Sequence, residues 1–221
     1  MVNFQSYMDV ELITSSGDDN LICNAARVST GNDVAGYDES AGLINYLWRE
    51  GHTSPFEHVS FTFKIHVPLF IARQIMRHRT FSYNEISGRY SKLSPYFWLP
   101  SYDRPLHNKG SGAYPNLQFH QNHDEVVSHV VDEMEHVTKR AFETYQMLVE
   151  DEVATEVARA VLPQNMYTSF YMTGNLKNFF DFIDKRIVDN AQQEVFEVAI
   201  NMLNKIKQVT PLAVKAWKDN K

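Results

Sequence analysis

The segment Val-Ser-Phe-Thr-Phe-Lys-Ile-His-Val-Pro, residues 59–68, has the clearest periodicity in the chain. Apolar residues occupy every second position from Val59 to Val67, and the residues between them are polar. This period of two predicts a β-strand with one buried face. Pro68 suits the first position of a following helix, where its missing N–H is not needed, and this helix is predicted to run to about Arg79.

The segments before and after this strand alternate between strand and helix patterns. Working outward, we predict a strand at Met8–Leu12, a helix at Leu21–Arg27 capped by Asp18 or Asp19, a helix capped by Asp38 that stops at Gly51, a polar loop at Thr80–Lys92 and a strand at Tyr96–Leu99.

The C-terminal half is mostly helical. Residues 100–122 hold several Pro, Gly and Asn and predict an irregular excursion, either a lid or a disordered loop. The other predicted elements are a long helix from Asp124 whose wide apolar stripe runs from Val126 to Leu148, a helical piece at Val153–Leu162, a strand at Met166–Met172, and helices over Leu176–Lys218 with a break before Pro211. The fold class is therefore α+β, with long helices packed on a small, mostly antiparallel sheet, in a single domain over residues 1–221.

The bulk composition narrows the class of protein. The single cysteine, Cys23, can form neither an internal disulfide nor a thiolate metal cluster. The polar residues among the first twelve do not suit a signal peptide, and the apolar stretch Val67–Ala72 is too short to cross a bilayer. A cytoplasmic protein without a membrane partner is the expectation.

The charge is unevenly distributed along the chain. The net charge is -6, yet the stretch from Lys64 to Lys92 holds six basic residues and only one acidic residue, Glu85. A basic island in an acidic chain suits a small anionic ligand better than nucleic acid.

The basic island contains the most informative motif, Arg-His-Arg-Thr-Phe-Ser-Tyr-Asn-Glu-Ile-Ser-Gly-Arg-Tyr at residues 77–90. Basic side chains at a helix C-terminus are mildly favourable, which by itself explains only the first three residues. The Asn, Glu, Ser and Arg of the next ten residues instead indicate a site for a polar anion, because guanidinium groups bind phosphate bidentately.

This motif resembles the signature of flavin-dependent thymidylate synthases. Further segments resemble that family in the same order along the chain: residues 26–29, 51–58 and 72–74, Glu156-Val157-Ala158-Arg159 with Leu162-Pro163, Asn175 onward, and Arg186 with residues 191–194. The resemblance covers most of the chain outside the 100–122 excursion, and it implies the fold of that family.

The resemblance also implies site residues. The positions that match FAD-binding positions are Ser54, Glu57, Arg77, His78, Arg79, Asn175, Lys177 and Asp181. The positions that match nucleotide-binding positions are Arg73, Gln74, Glu85, Ser87, Gly88, Arg89, Arg159 and Arg186. Arg186, which matches an arginine that favours deprotonated uracil, and Ser87 are the catalytic candidates, although no base beside Ser87 marks it as a nucleophile.

The reaction implied by the resemblance is methylation of dUMP to dTMP. Methylenetetrahydrofolate donates the carbon, NADPH reduces FAD, and the family assembles as a homotetramer with sites shared between subunits. The chain contains no Gly-x-Gly-x-x-Gly, so FAD is not expected to bind a Rossmann fold. Lys177, Asp181 and Asn190 depart from the residues common in the family, which leaves the flavin and folate contacts around them open.

Some of these residues, and the chain as a whole, also fit other interpretations. Ser87 also fits an ordinary turn residue. The histidines between His107 and His136 lack the spacing and partners of a metal site, so no metal is predicted. A nucleotide- or nucleic-acid-binding module without catalysis, or a helical interaction protein, remains the alternative to an enzyme.

Overall fold

The computed structural model describes residues 2–28, 31, 37–112 and 115–221. Its helices and strands are, in chain order, β1 (Asn3–Gln5), β2 (Asp9–Ser16), α1 (Asp19–Arg27), α2 (Tyr37–Arg49), a 3-10 helix (Ser54–His58), β3 (Ser60–Pro68), α3 (Leu69–Ile75), β4 (Ser82–Glu85), β5 (Tyr96–Trp98), β6 (His107–Asn108), β7 (Leu117–Gln118), α4 (His123–Glu150), α5 (Thr155–Ala158), a 3-10 helix (Arg159–Val161), β8 (Tyr167–Asn175), α6 (Leu176–Arg186), α7 (Gln193–Val209) and α8 (Pro211–Asp219).

Within the described residues, the strands form three small sheets. Strands β2, β3, β8 and β4 form a sheet in that order, β6 pairs antiparallel with β7, and β1 pairs in parallel with β5. The predicted mixture of long helices and small sheets is confirmed, with the parallel β1–β5 pair as an unpredicted detail. No described helix is both long enough and apolar enough to cross a membrane.

The chain forms two compact units. The first unit comprises the N-terminal residues up to Met8, His66–Gln74 and Glu85–Ser169, and the second unit comprises Asp9–Ile65, Ile75–Asn84 and Phe170–Lys221. That residues 1–221 act as one domain stays a prediction.

The core of the second unit is built on the alternating strand. Phe61 and Phe63 of β3 are at most 1% exposed, and both rings contact Phe179 of α6, with centroids 5.9 and 5.2 Å away. Phe180 stacks on Trp217 of α8 with centroids 5.1 Å apart. The apolar face predicted for residues 59–67 is therefore the face that packs against α6.

The core of the first unit lies beneath α4. Phe97 of β5 meets Phe142 of α4 with ring centroids 5.7 Å apart, and Tyr145, Ala158 and Met166 complete this buried cluster. The predicted long helix is confirmed, and within the described chain it buries only part of its apolar stripe, since Val137 remains 58% exposed.

The predicted bounds of the helix from Pro68 to Arg79 are wrong. Pro68 ends β3, and α3 ends at Ile75. The Ile75 carbonyl accepts from the backbone N–H of His78 at 3.0 Å, and the Tyr83 hydroxyl lies within hydrogen-bonding distance of the carbonyls of Ile75 and His78, at 3.0 and 2.9 Å. Residues Arg77 to Arg79 therefore lie beyond the helix.

Three smaller boundaries also differ from expectation. The predicted loop at Thr80–Lys92 contains β4, an edge strand whose sequence has too few apolar residues for a periodic signal. Asp38, the predicted cap of the second helix, lies within α2 (Tyr37–Arg49). The predicted break before Pro211 is confirmed, and a second break occurs between α6 and α7.

Asp19 caps a helix almost two hundred residues away. Its carboxylate, 8% exposed, accepts from the backbone N–H groups of Leu212 and Ala213 at 2.8 and 3.0 Å, in the first turn of α8. Burial raises the pKa of Asp19 above 3.8, and the two hydrogen bonds offset only part of this rise.

We expect Asp19→Asn to lower the free energy of unfolding by about 1–2 kcal/mol, because an amide NH₂ then faces one of the two backbone donors. Since the native pKa lies above the unfolded one, Asp19 stabilises the wild type increasingly as the pH falls through the raised pKa. The difference in the free energy of unfolding between wild type and variant should therefore increase as the pH falls. Denaturant titration across pH measures both effects.

Asp18→Asn is the matched control for this prediction. Asp18 caps α1 by accepting from Asn20 N and Leu21 N at 2.9 and 3.2 Å. Asn is as good an N-cap as Asp, so this change should cost less than about 0.5 kcal/mol. Equal losses for both variants would contradict the role assigned to Asp19.

Candidate functional site

The first unit contains a cavity of about 210 Å³. Among the predicted nucleotide-binding residues it brings Glu85 and Gly88 together with Arg159, which lies more than seventy positions further along the chain. The lining residues are Leu69, Glu85, Ile86, Gly88, Leu93, Arg159, Leu162, Met166, Tyr167 and Thr168. The walls are largely apolar, and a guanidinium and a carboxylate are the charged groups among them.

The carboxylate is held at the junction of β4 and β8. Thr168 Oγ1 donates to Glu85 Oε1 at 2.6 Å, and the backbone N–H of Ile86 donates to the carbonyl of Ser169 at 2.9 Å. Thr168 is 5% exposed, so its hydroxyl belongs to the wall and not to the solvent.

Ser87 and Arg89 lie in the turn that follows β4. The Ser87 hydroxyl accepts from the backbone N–H of Arg89 at 3.3 Å, as the turn interpretation expects. Arg89 Nε lies 2.7 Å from Glu156 Oε2, in an exposed ion pair. Such pairs contribute about 0–1 kcal/mol, so a phosphate can replace Glu156 as the partner of Arg89 at little cost.

The other two predicted nucleotide-binding residues of the first unit lie in the last turn of α3. Arg73 is exposed and Gln74 is half-buried. Neither lines the cavity, in contrast to Glu85 and Arg159.

The second unit holds a cluster of basic groups around His78. Arg186 Nε donates to His78 Nε2 at 3.0 Å, and the His78 ring meets Phe182 edge to face with centroids 4.8 Å apart. A guanidinium only donates, so His78 must accept at Nε2 and carry its proton on Nδ1.

Electrostatics keep His78 neutral. Burial, followed by the charges of Arg186 and Lys185, lowers the pKa of His78 to about 4. Burial also lowers the pKa of Arg186, and the neighbouring charge of Arg77 acts in the same direction. Arg186, Lys185 and Arg77 therefore concentrate positive charge around a neutral imidazole, and such a concentration of charge favours an anionic ligand.

The remaining predicted FAD-binding residues also lie in the second unit. Ser54 and Glu57 are exposed on the 3-10 helix Ser54–His58, and Arg77 and Arg79 are exposed beyond α3. Asn175 caps α6 by accepting from Asn178 N at 2.9 Å, which gives it a structural role as well. Arg186 is thus the only predicted nucleotide-binding residue in the second unit.

Two of the residues that depart from the family pattern pair with each other. Lys177 Nζ lies 2.5 Å from Asp181 Oδ2, one helical turn apart on α6. The third, Asn190, is exposed between α6 and α7. The Lys177 and Asp181 side chains therefore form an ion pair within α6.

Sequence reasoning missed Thr168, Leu93 and Tyr83. Thr168 and Leu93 line the cavity, and the Tyr83 hydroxyl contacts the carbonyl of Ile75 at the end of α3. Thr in a strand and Leu in a loop carry no sequence signal for a binding site, since both are also ordinary structural residues. Within the described residues, no group of three or more His, Cys, Asp or Glu side chains is arranged to hold a metal ion.

An α+β chain with an arginine in the lining of its cavity, and with basic residues around a neutral His, has groups that can bind anionic ligands. Comparison with known proteins identifies the family to which this chain belongs. The sequence model of the family described as Thymidylate synthase complementing protein matches residues 11–212.

Relatives and solved structures agree with this match. The flavin-dependent thymidylate synthase of Thermotoga neapolitana is 38% identical over 94% of this chain and 89% of its own, and that of Thermus thermophilus is 40% identical over 96% and 76%. The crystal structure of the UMP/dUMP methylase PolB from Streptomyces cacaoi, bound with 5-Br UMP, superposes with a TM-score of 0.90 at 35% identity, covering 99% of this chain and 96% of that one. The chain belongs to the flavin-dependent thymidylate synthase family.

Proposed function

We propose that this protein methylates dUMP to dTMP, with methylenetetrahydrofolate as carbon donor and NADPH-reduced FAD as hydride source. The observation that carries the proposal is the cavity in which Glu85 and Gly88 of the Arg-His-Arg motif meet Arg159 of the Glu-Val-Ala-Arg segment. Both segments are ones that resemble the family, and the fold joins them in one cavity.

The anionic end of dUMP suits the basic groups around the cavity. We assign the phosphate to Arg159 and Arg89, with the backbone N–H of Gly88 as a further donor. Arg89 is paired with Glu156 at 2.7 Å, and phosphate binding would exchange this carboxylate for a dianion. The apolar side chains of Leu69, Leu162 and Met166 exclude water from the rest of the cavity.

The second unit has a donor set that fits FAD. Arg77 and Arg79 are exposed guanidinium groups that suit a diphosphate, and neutral His78 presents no further charge. When bound, the flavin supplies the hydride chemistry that no side chain of this protein can provide. We propose that Ser54, Glu57 and Asn175 to Asp181 complete this site.

Arg186 is the proposed electrostatic catalyst. The hydrogen bond of its Nε to His78 at 3.0 Å orients the guanidinium, whose positive charge can then stabilise negative charge on the uracil ring. Because a guanidinium retains its proton, it can stabilise this charge without taking part in proton transfer. Ser87 is proposed as a binding residue of the phosphate turn, without a nucleophilic role.

Gly88 leaves no room for a side chain. A Cβ at this position would lie 2.7 and 3.0 Å from Cδ1 and Cγ of Leu93, which lines the same cavity. We expect Gly88→Ala to weaken dUMP binding about tenfold, because the added methyl group must displace Leu93 within the wall of the proposed dUMP cavity. The overpacking itself, about 1–3 kcal/mol, would lower the free energy of unfolding. Calorimetry measures this loss, and Gly88→Ala combined with Leu93→Ala should recover part of it. An unchanged affinity of the single variant would contradict the tight packing.

A thiolate route to dTMP is not expected. Cys23 is fully buried, and burial raises the pKa of its thiol, which therefore stays protonated. We expect Cys23→Ala to retain near-normal turnover and to lose about 1 kcal/mol of packing stability. Thymidylate assays and thermal melts measure the two effects, and loss of turnover with intact FAD and dUMP binding would contradict the flavin route.

We propose that the protein is a homo-oligomer, most simply a homotetramer. The supporting feature is the apolar face of α4, where Met134 and Val137 join Pro163 around an open depression of about 380 Å³. Light scattering that shows a fully active monomer at micromolar concentration would contradict this assembly. A cytoplasmic location stays a prediction.

UMP is the second candidate substrate. The reason is that PolB, the neighbour with a TM-score of 0.90, is described as a UMP/dUMP methylase.

Titration of the purified protein with FAD tests the proposed function first: a shifted flavin spectrum is expected, and its absence would overturn the cofactor assignment. Parallel assays with dUMP and UMP then identify the preferred substrate, and a flavin-free protein that binds nucleotide without turnover would support the non-catalytic alternative.

A further inference from the structure

The hydrogen bond between Thr168 and Glu85 has no part in the function proposed so far. Thr168 Oγ1 donates to Glu85 Oε1 at 2.6 Å, and both residues line the cavity. Thr168 is 5% exposed, whereas Glu85 is exposed. The bond therefore joins a fixed group in the wall to a carboxylate that can reach a ligand.

A carboxylate in a cavity for an anionic nucleotide requires a specific partner. Phosphate would repel Glu85, and Arg159 is the cation available in the same lining. The groups of dUMP that can donate to a carboxylate are the 3′-hydroxyl of the sugar and the N3–H of the base. The hydroxyl is neutral, carries its proton throughout the reaction and lies near the phosphate along the sugar, so it suits a carboxylate that shares a cavity with a phosphate-binding arginine.

Oε2 is the carboxylate oxygen with more capacity to accept a hydrogen bond from a ligand. Thr168 donates to Oε1, and among the described residues no hydrogen bond to Oε2 is made, so both lone-pair sites of Oε2 are open. A carboxylate with one oxygen fixed loses rotational freedom, so the other oxygen is presented in one direction and less entropy is lost on binding.

We propose that Thr168 is a positioning residue that fixes Glu85 so that Oε2 accepts a hydrogen bond from the sugar 3′-hydroxyl of the substrate. This inference rests on the proposed function, since it requires a nucleotide in the cavity. It adds a residue outside the Arg-His-Arg motif to the determinants of substrate recognition.

The strand around Thr168 is suited to hold a side chain still. On one side of it, the Tyr167 hydroxyl donates to the Tyr7 carbonyl at 2.7 Å, and the Tyr167 ring stacks on His66 with centroids 4.8 Å apart. On the other side, Ser169 Oγ lies 2.8 Å from His66 Nδ1. Residues fixed on both sides restrict the backbone and the rotamer of Thr168.

The test compares Thr168→Val, which removes the hydroxyl at nearly constant shape, with Thr168→Ser, which keeps it. Binding of dUMP and of 2′,3′-dideoxyuridine monophosphate is measured by calorimetry. We expect Thr168→Val to weaken dUMP binding about tenfold and to change binding of the dideoxy nucleotide less than about twofold, because only dUMP has the hydroxyl that Glu85 binds. Thr168→Ser should bind both nucleotides like the wild type.

A double-mutant cycle shows whether Thr168 acts through Glu85. In a Glu85→Ala background, Thr168→Val should cause no further loss of dUMP affinity. Thr62→Val is the matched control. The hydroxyl of Thr62 in β3 forms a hydrogen bond of 2.9 Å with that of Thr173 in β8, and neither Thr62 nor Thr173 lines the cavity. This control should bind both nucleotides normally.

The outcomes separate this inference from the proposed function. Wild-type affinity for dUMP in Thr168→Val, equal losses for both nucleotides, or additive losses with Glu85→Ala would overturn the role of Thr168 while leaving the function intact. A wild-type protein that binds neither nucleotide would overturn the function and this inference together. Thr168→Ala, which also lacks the hydroxyl, replaces Thr168→Val if thermal melts show that Val unfolds the protein, and it must give the same pattern.

Discussion

Arg186→Ala is expected to lower the turnover number for dTMP formation about 100- to 1,000-fold, the usual cost of removing a preorganised group that stabilises developing charge. The affinity for dUMP should fall much less, because neutral uracil gains less from this positive charge than the negatively charged uracil that Arg186 is proposed to stabilise. Steady-state kinetics with dUMP, methylenetetrahydrofolate and NADPH measures this split between kcat and KM.

The ionisation of His78 reports on the same substitution without any assay of activity. The pKa of His78 lies at about 4 because of burial and, next, the charge of Arg186. Removing that charge should raise the pKa of His78, which NMR titration of the imidazole would detect.

Lys185→Ala is the matched control, because Lys185 also lowers the pKa of His78 but is not the side chain hydrogen-bonded to it. It should retain near-normal turnover. Wild-type turnover in Arg186→Ala, or equal losses in both variants, would remove Arg186 from the chemistry.

Arg89→Lys is expected to weaken dUMP binding about tenfold or more. Lysine keeps the charge but loses the planar fork, so a bidentate contact with phosphate cannot be restored, and a hydrogen bond to a charged group contributes about 1.5–3 kcal/mol. Isothermal calorimetry measures the affinity.

Arg140→Lys serves as the control for a change of arginine to lysine. Arg140 is exposed on α4, with Nη1 3.9 Å from Glu143 Oε2. This variant should bind dUMP normally. If Arg89→Lys binds equally well, Arg89 plays no part in holding the phosphate and remains only the partner of Glu156.

Strong periodicity made the main elements predictable. β3 and α4 have long apolar patterns with periods near two and near 3.6, and the structure contains both. β4 has a polar sequence and depends on pairing with β8, which no local pattern reveals. The early end of α3 is likewise accompanied by a tertiary contact, the Tyr83 hydroxyl on the carbonyl of Ile75, which forms only in the folded chain.

The candidate site was predictable in composition but not in arrangement. Motif resemblance selected Glu85, Gly88 and Arg159, and the fold places all three in one cavity. The partners of the charged residues were not predictable. The Arg186–His78 hydrogen bond spans more than one hundred residues, and such partners are chosen by tertiary packing instead of local sequence.

The most direct test of the central claim is formation of dTMP by the purified protein. With FAD, NADPH, methylenetetrahydrofolate and dUMP present, we predict dTMP by chromatography, and no dTMP after removal of the flavin. A FAD-loaded protein that binds dUMP and yields no dTMP, or a flavin-free protein that forms it, would contradict the account.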